Sequence, residues 1–321
     1  MRIVFAGTPN AAVPTLRSLA TSAHEVVTVV TRPDAPLGRK RVLTPSPVAQ
    51  AAEELGLPVL KTARLDADAT ASILAARPDL GVVVAFGGLV REPLLSAPPH
   101  GWVNLHFSLL PAWRGAAPVQ RALIAGDERT GAAVFRLVAE LDAGDVYDTL
   151  ERQIGADETA GDLLESLAVD GASLVGKVVD AIADGTAVAV PQQGTPTLAP
   201  KLTLDDARLD LTEDAGTVYA RLRGVTPEPG AFFTVGGARV KVLAAARSAT
   251  EALPPGGLRL SGAHAYLGTG TSPLELLTVQ PAGKRAMAAA DWLRGLPHDV
   301  HADVGDDVPI DDGAPRSEGE S

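Results

Sequence analysis

Apolar positions in the first half of the chain fall in short runs that alternate with amphipathic stretches, the pattern of a parallel sheet covered by helices on both faces. Strands are expected at residues 2–6, 25–31, 58–60, 80–86 and 102–107, then at 131–138 and 146–154. Helices fill the intervals. Asn10 is placed to cap one that runs to about Thr21, and Ser46 with Pro47 at the first helical position starts another that Gly56 stops. A longer helix, about 159–184, runs from Thr159 to Gly185. The periods predict a Rossmann-like α/β domain with a mostly parallel sheet over residues 1–189.

The pattern then changes. Segment 190–203, VPQQGTPTLAPKLT, holds three prolines and no amphipathic period, which predicts a linker. Beyond it, FFTV, ARVKVLAAA, GLRL, HAYLGT and LELLTV are short β-rich runs separated by PEPG, GG, PPGG and PAGK turns, and AGTVYARLRGV reads as a helix. That predicts a small β-barrel or sandwich over 204–298, compatible with an OB-like fold. Residues 299–321 are dense in Asp, Gly and Pro, and are expected to be a disordered acidic tail.

The length of 321 residues suits two domains, each with its own core. An aromatic content of 4% argues against broad stacking platforms for single-stranded nucleic acid. With no cysteine, disulfides, thiolate metal sites and cysteine nucleophiles are excluded, in keeping with a reducing compartment. Met1 leads directly into the strand RIVFAG, and no run approaches the ~18 apolar residues of a membrane span, so a cytoplasmic enzyme with no membrane partner is expected. Nothing implies an oligomer. The net charge of −11 is uneven: residues 191–298 carry 11 basic and 9 acidic side chains, whereas 299–321 carry 1 and 8.

Gly7-Thr8-Pro9 follows the first strand where a dinucleotide fold has its phosphate loop, but GTPNAA has one glycine where that fingerprint needs three. The informative stretch is 102–115, WVNLHFSLLPAWRG. Period 2 puts Asn104 and His106 on one face at the carboxyl end of a central strand, where open α/β sheets bind ligands. A second polar cluster, AELDAGD at 139–145, places Asp142 at the same sheet edge if the strands are adjacent.

An amide, an imidazole and a carboxylate without a Ser or Cys nucleophile suit direct acyl transfer to an amine. Asn104 would donate to the carbonyl oxygen that becomes negative in a tetrahedral intermediate. His106 would supply a second donor and pass a proton, while Asp142 orients the imidazole and favours its protonated form. Each residue also has a plain structural reading: a satisfied strand-end histidine, a turn cap, a loop carboxylate. One imidazole without a second at ligand spacing points away from a metal. In Phe86-Gly87-Gly88-Leu89-Val90 the glycines permit close backbone approach, so the segment is either a pocket wall or a turn.

NLHFSLLPAWRG and ELDAGD resemble the signature and the acidic loop of the folate-dependent formyltransferases. FAGTP, TRPDAPLGRKRVLTPSPV, KLTLDDARLD and LLTVQPAGKRAM narrow the resemblance to members that act on charged initiator tRNA, over about residues 1–295. The resemblance implies transfer of a formyl group from 10-formyltetrahydrofolate to the α-amino group of methionine on initiator methionyl-tRNA. Asn104, His106 and Asp142 match the family's catalytic trio, and Ser108, Leu109, Leu110 and Pro111 its folate-contacting loop. Arg39 matches an arginine in a loop that reaches the tRNA acceptor arm, and 204–298 matches a tRNA-binding domain.

Read without the family, Arg39, Lys40 and Arg41 form a basic cluster in a long loop, either a phosphate contact or a solvated patch. Arg221, Arg223, Arg239, Lys241, Lys284 and Arg285 in the mildly basic second domain tilt the balance toward a tRNA backbone. Rival readings are formyl transfer to a sugar nucleotide or ribonucleotide amine, a folate hydrolase, and an inactive binding module.

Overall fold

Alternating apolar runs become strands β1 (Arg2–Gly7), β2 (Glu25–Thr31), β3 (Ala35–Leu37), β4 (Val42–Thr44), β5 (Val59–Lys61), β6 (Leu80–Val84), β7 (Trp102–His106), β8 (Arg114–Gly115), β9 (Arg129–Arg136), β10 (Val146–Gln153) and β11 (Leu198–Ala199). Between them lie α1 (Val13–Ala20), α2 (Pro47–Glu54), α3 (Ala67–Ala75), α4 (Pro118–Ala125) and α5 (Ala160–Ala183). The computed structural model describes residues 1–38, 41–297 and 300–304. They form two compact units, one of 1–119, 129–154 and 162–201, the other of 120–128, 155–161 and 202 onward.

In the first unit a seven-stranded sheet runs in the order β10-β9-β7-β6-β1-β2-β5. The strands from β7 to β5 are parallel, whereas β9 is antiparallel to both β7 and β10. All five residues of β6 are buried, as expected of a strand covered on both faces. Val4, Ile73, Phe86, Leu94 and Trp102 belong to one core cluster of this unit. On β7, α5 makes a close approach at Gly171, where a Cβ would stand 2.8 Å from Leu105 Cδ2.

Local chemistry explains several element boundaries. Ser46 Oγ accepts the Ala49 amide at 3.0 Å and caps α2, a bond of about 1 kcal/mol in helices generally. Asn10 does not cap α1: residues Asn10–Ala12 form a 3-10 turn and the helix starts at Val13, with Pro14 in its first turn. The strand expected to reach residue 86 ends at Val84, because Ala85 takes a left-handed φ of 47°. Part of the long loop after β2 is an antiparallel hairpin of β3 and β4.

The expected linker is instead built into the first unit. Val190 bridges Val146, and β11 pairs in parallel with β8, so the chain leaves this unit after Lys201. Proline forbids a helix here but leaves an extended backbone free to pair along one side.

The second unit contains β12 (Phe232–Val235), β13 (Ala238–Arg247), β14 (Leu258–Ser261), β15 (His264–Leu267), β16 (Leu274–Pro281) and β17 (Met287–Ala288), with α6 (Ala215–Gly224) and α7 (Ala289–Arg294). Its antiparallel sheet runs β12-β13-β16-β15-β14, with β17 on β16. Asp214 accepts the Gly216 and Thr217 amides and caps α6, whose Leu222 joins Phe232, Phe233, Leu276 and Trp292 in the core.

The start of the expected tail belongs to this unit too. The Ala302 amide donates to Gly256 at 2.8 Å, beside β14, and the Asp303 amide donates to Thr234 of β12 at 2.7 Å. The Asp303 carboxylate accepts the Gly236 and Gly237 amides, and Ala302 is buried in the core. Residues 301–303 therefore tie together the two edge strands, because a buried alanine and the backbone bonds around it offset the entropy lost on ordering the segment. Residues 305–321 lie outside the described residues. Among the described residues, no helix is long and apolar enough to cross a membrane.

Candidate active site

The strand order reverses between β1 and β6, which makes their carboxyl ends a topological switch point. Thr8, after β1, donates its hydroxyl to the Phe86 carbonyl at 3.1 Å, joining the two loops there. β7 is the next strand, with Asn104 paired between Val83 and Phe135 and His106 opposite Ala133. Their period-2 placement is as expected.

His106 is 6% exposed and its ring meets Phe135 edge-on at 6.3 Å between centroids. Its Nε2 lies 2.8 Å from the Trp113 carbonyl. A carbonyl can only accept, so Nε2 carries the hydrogen and, in the neutral ring, Nδ1 is left with a lone pair. Nδ1 faces Asp142 Oδ2 at 3.8 Å, beyond a hydrogen bond. Burial pushes the His106 pKa below the ordinary histidine value, against the pull of the Asp142 charge and the Trp113 carbonyl.

One departure from the sequence expectation concerns orientation: the ring bonds to the Trp113 peptide rather than to Asp142, whose charge favours the protonated form as expected but is outweighed by burial. Asp142 Oδ2 instead accepts the Gly115 amide at 2.8 Å. The acidic loop does place Asp142 beside His106, in a left-handed conformation with φ of 45°.

Asn104 Oδ1 is buried without a hydrogen-bond partner. Such an orphan costs about 1–3 kcal/mol, so a ligand N–H at this atom would be favoured. The Ser108–Pro111 segment forms a docked turn. Ser108, 1% exposed, donates to the Ala112 carbonyl at 2.6 Å, so its side chain shapes the turn rather than pointing outward. Leu109 and Leu110 are half-buried, with Leu110 packed against the cluster of Ala133, Phe135 and Val146.

The Phe86 ring is 2% exposed and lies in the core, so Phe86, Gly87 and Gly88 can offer a ligand mainly backbone. The Gly87 carbonyl is already bonded by Arg32 at 2.6 Å. A cavity of about 660 Å³ lies elsewhere, against Trp102 at the opposite end of β7 and lined also by His100, Arg136 and Tyr147. None of the trio lines it.

Arg41 is exposed at the turn of the β3–β4 hairpin, flanked by Leu37, Val42 and Leu43, each more than half exposed. Arg39 and Lys40 lie outside the described residues. In the second unit Lys284 and Arg285 are exposed, but Arg223 is buried and donates to the Gly155 and Glu158 carbonyls, which removes it from any tRNA-facing surface.

Sequence reasoning missed Gln192 and Thr197, placed in the expected linker. Gln192 Nε2 donates to the Asp142 and Gly144 carbonyls, and Thr197 Oγ1 accepts the Trp113 amide. A polar pair among prolines carried no signal that could have separated it from an ordinary connector.

Residues 1–179 match the formyl transferase family and residues 201–297 its C-terminal domain. The chain is 64% identical over 295 residues to the methionyl-tRNA formyltransferase of Leifsonia xyli subsp. xyli (strain CTCB07), covering 92% of this chain and 97% of that protein. It is 60% identical over 297 residues to that of Clavibacter sepedonicus, with the same coverage. Among solved structures, the N-formyltransferase from Helicobacter canadensis, in complex with folinic acid and dTDP-3-aminofucose, superposes with a TM-score of 0.66 at 14% identity, covering 87% of this chain and 98% of that one. That likeness is one of fold.

Proposed function

This chain belongs to the formyl transferase family, and we propose that Asn104, His106 and Asp142 perform its reaction, with 10-formyltetrahydrofolate as donor and initiator methionyl-tRNA as acceptor. The activity is that of the methionyl-tRNA formyltransferases: a formyl group passes from the folate to the α-amino group of the esterified methionine. The folate supplies an activated carbonyl carbon, and the acceptor amine supplies the nucleophile.

Asn104 donates through its amide nitrogen to the formyl oxygen as negative charge develops there, where a fixed dipole in a dry site is worth most. Its buried Oδ1 takes an N–H of the reacting nitrogen, which fits the orphaned acceptor. Neutral His106 removes the proton that the attacking amine must lose, using Nδ1, since Nε2 is committed to Trp113. The ring becomes cationic, with Asp142 at 3.8 Å stabilising that charge, and then returns the proton to the folate nitrogen as its bond to the formyl carbon breaks, so that tetrahydrofolate leaves neutral and the ring is restored.

The leucines of the Ser108–Pro111 turn supply apolar surface for the pterin, and the backbone of Phe86, Gly87 and Gly88 a second wall. Arg39, Lys40 and Arg41, with Lys284 and Arg285, are assigned to the tRNA phosphates. The C-terminal unit is read as an OB-like tRNA-binding domain and the setting as cytoplasmic. The observation that carries the reading is the alignment of Trp113, His106 and Asp142 beside an orphaned Asn104 acceptor at the switch point.

The test is to incubate the pure protein with 10-formyltetrahydrofolate and offer charged initiator tRNA, an amino sugar nucleotide, or water. Formylated methionyl-tRNA is expected. Formylation of the sugar alone, or release of formate alone, would overturn the assignment.

A further inference from the structure

The extended stretch 190–199 touches both loops of the site at the backbone on which each catalytic group depends. Gln192 Nε2 donates to the Asp142 carbonyl and to the Gly144 carbonyl, 2.8 Å each, while its Oε1 accepts Arg114 Nε at 3.1 Å and Nη2 at 2.6 Å. Both ends of one amide are thus used to join the signature loop to the acidic loop. Thr197 Oγ1 accepts the Trp113 amide at 2.8 Å, and the Trp113 carbonyl accepts His106 Nε2–H at 2.8 Å.

Trp113 and Asp142 have φ of 61° and 45°, a region that L residues rarely occupy unless their surroundings fix it. Both are fixed from the same strap. Its backbone adds further bonds: Arg114 to Thr197 at 2.8 Å and Ala116 to Ala199 at 2.8 Å.

We infer that Gln192 and Thr197 are positioning residues for formyl transfer: Gln192 holds the Asp142 carboxylate at its distance from His106, and Thr197 holds the peptide whose carbonyl fixes the His106 ring. The inference rests on the roles proposed for His106 and Asp142. The groups facing the ring are the Asp142 carboxylate, the Trp113 carbonyl and the apolar Phe135. Neither positioning residue touches the reacting atoms in this scheme, so each acts through another group.

Rates with 10-formyltetrahydrofolate and charged initiator tRNA test the first half, on the full chain. Gln192→Ala should lower kcat about 10-fold or more while both KM values change less than about 2-fold. Gln192→Glu still accepts from Arg114 but cannot donate to the two carbonyls, so it should behave like the alanine variant. In an Asp142→Ala background, Gln192→Ala should change the rate less than about 2-fold, because the group it positions is gone. Additive losses, or full activity in Gln192→Glu, would overturn the assignment.

The second half is read without turnover, from the His106 titration midpoint followed by NMR in the absence of either substrate. Thr197→Val leaves the Trp113 amide unpaired and loosens its carbonyl, which favours the protonated ring, so the midpoint should fall. Thr197→Ser should restore it. An unmoved midpoint in folded Thr197→Val would overturn the role of Thr197 whatever the wild-type rate. A wild-type chain that formylates no tRNA, with the midpoint shifts intact, would instead remove the functional reading and leave the positioning in place.

Discussion

Asp142 Oδ2 stands 3.8 Å from His106 Nδ1 but 2.8 Å from the Gly115 amide nitrogen, so the carboxylate spends its hydrogen bond on the backbone and meets the ring only as a charge. A histidine oriented by a carboxylate receives orientation and charge stabilisation from one group. Here the ring bonds to the Trp113 carbonyl instead, so in the proposed reaction Asp142 acts as a charge and Nδ1 is left to accept the proton.

Asn104→Ala, His106→Ala and Asp142→Ala should each lower kcat by about 10²-fold or more, the usual loss for an oxyanion donor or acid/base group. Folate affinity should fall much less. Steady-state rates beside equilibrium folate titration provide the check, and near-normal turnover in a folded His106→Ala chain would end the proposed chemistry.

The pH dependence has a definite sign. A base must be neutral to act, and burial holds the His106 pKa below its ordinary value, so activity should rise with pH through a midpoint lower than about 6.5. Asp142→Asn removes the charge that pulls the pKa upward, and should move the midpoint of kcat/KM further down. A profile centred above the ordinary histidine range would contradict the burial argument.

Asn104 and His106 were legible because a strand has period 2 and their strand is recognisable from its apolar neighbours. Asp142 was legible because a carboxylate before Ala-Gly marks a sharp loop after another strand. What was hidden rests on main-chain atoms: any residue could present the Trp113 carbonyl, and side-chain identity does not report a left-handed φ. Gln192 and Thr197 were hidden for a related reason, since proline-rich backbone pairs along one side without any periodic pattern. Composition also misjudged 300–304, where one buried alanine and one bonded aspartate outweigh the polar residues around them.

Gly115→Ala probes the meeting of the strap and the signature loop. Gly115 has φ of 130°, and a Cβ there would lie 2.6 Å from the Ala199 carbonyl oxygen. The backbone must shift, and the amide that holds Asp142 shifts with it. A stability loss of about 1–3 kcal/mol by denaturant titration is expected, with a fall in kcat measured under folding conditions.

Truncation after residue 298 should destabilise the C-terminal unit, whereas truncation after residue 304 should leave its melting temperature unchanged. Burial alone would raise the Asp303 carboxyl, but the amides of Gly237 and Gly236 and the Arg208 charge hold it below its ordinary value. This contribution is therefore present above the unfolded pKa and lost as pH falls through the lower folded one. Melting curves of the two truncations from neutral to acid pH test both statements, and equal melting temperatures at neutral pH would contradict the docking of 301–303.

Replacing Arg39, Lys40 and Arg41 together should weaken tRNA-dependent turnover while leaving folate binding unchanged. If each meets a phosphate, the slope of log affinity against log salt should shrink by about 0.9 per residue, taking the duplex DNA value. An unchanged slope would reduce the cluster to a solvated patch.

The closure of the second sheet by residues 301–303 also sets an order of events during translation. The last strand of the formyl-transfer unit, β11, ends at Ala199, so that unit has all of its pairing partners while much of the C-terminal unit is still to be made. Domains generally fold as they emerge. The β-rich unit, by contrast, cannot join its two edges until residue 303 has been made, and a chain that has reached only residue 298 carries a complete strap on the acidic loop and a sheet that still lacks its clasp.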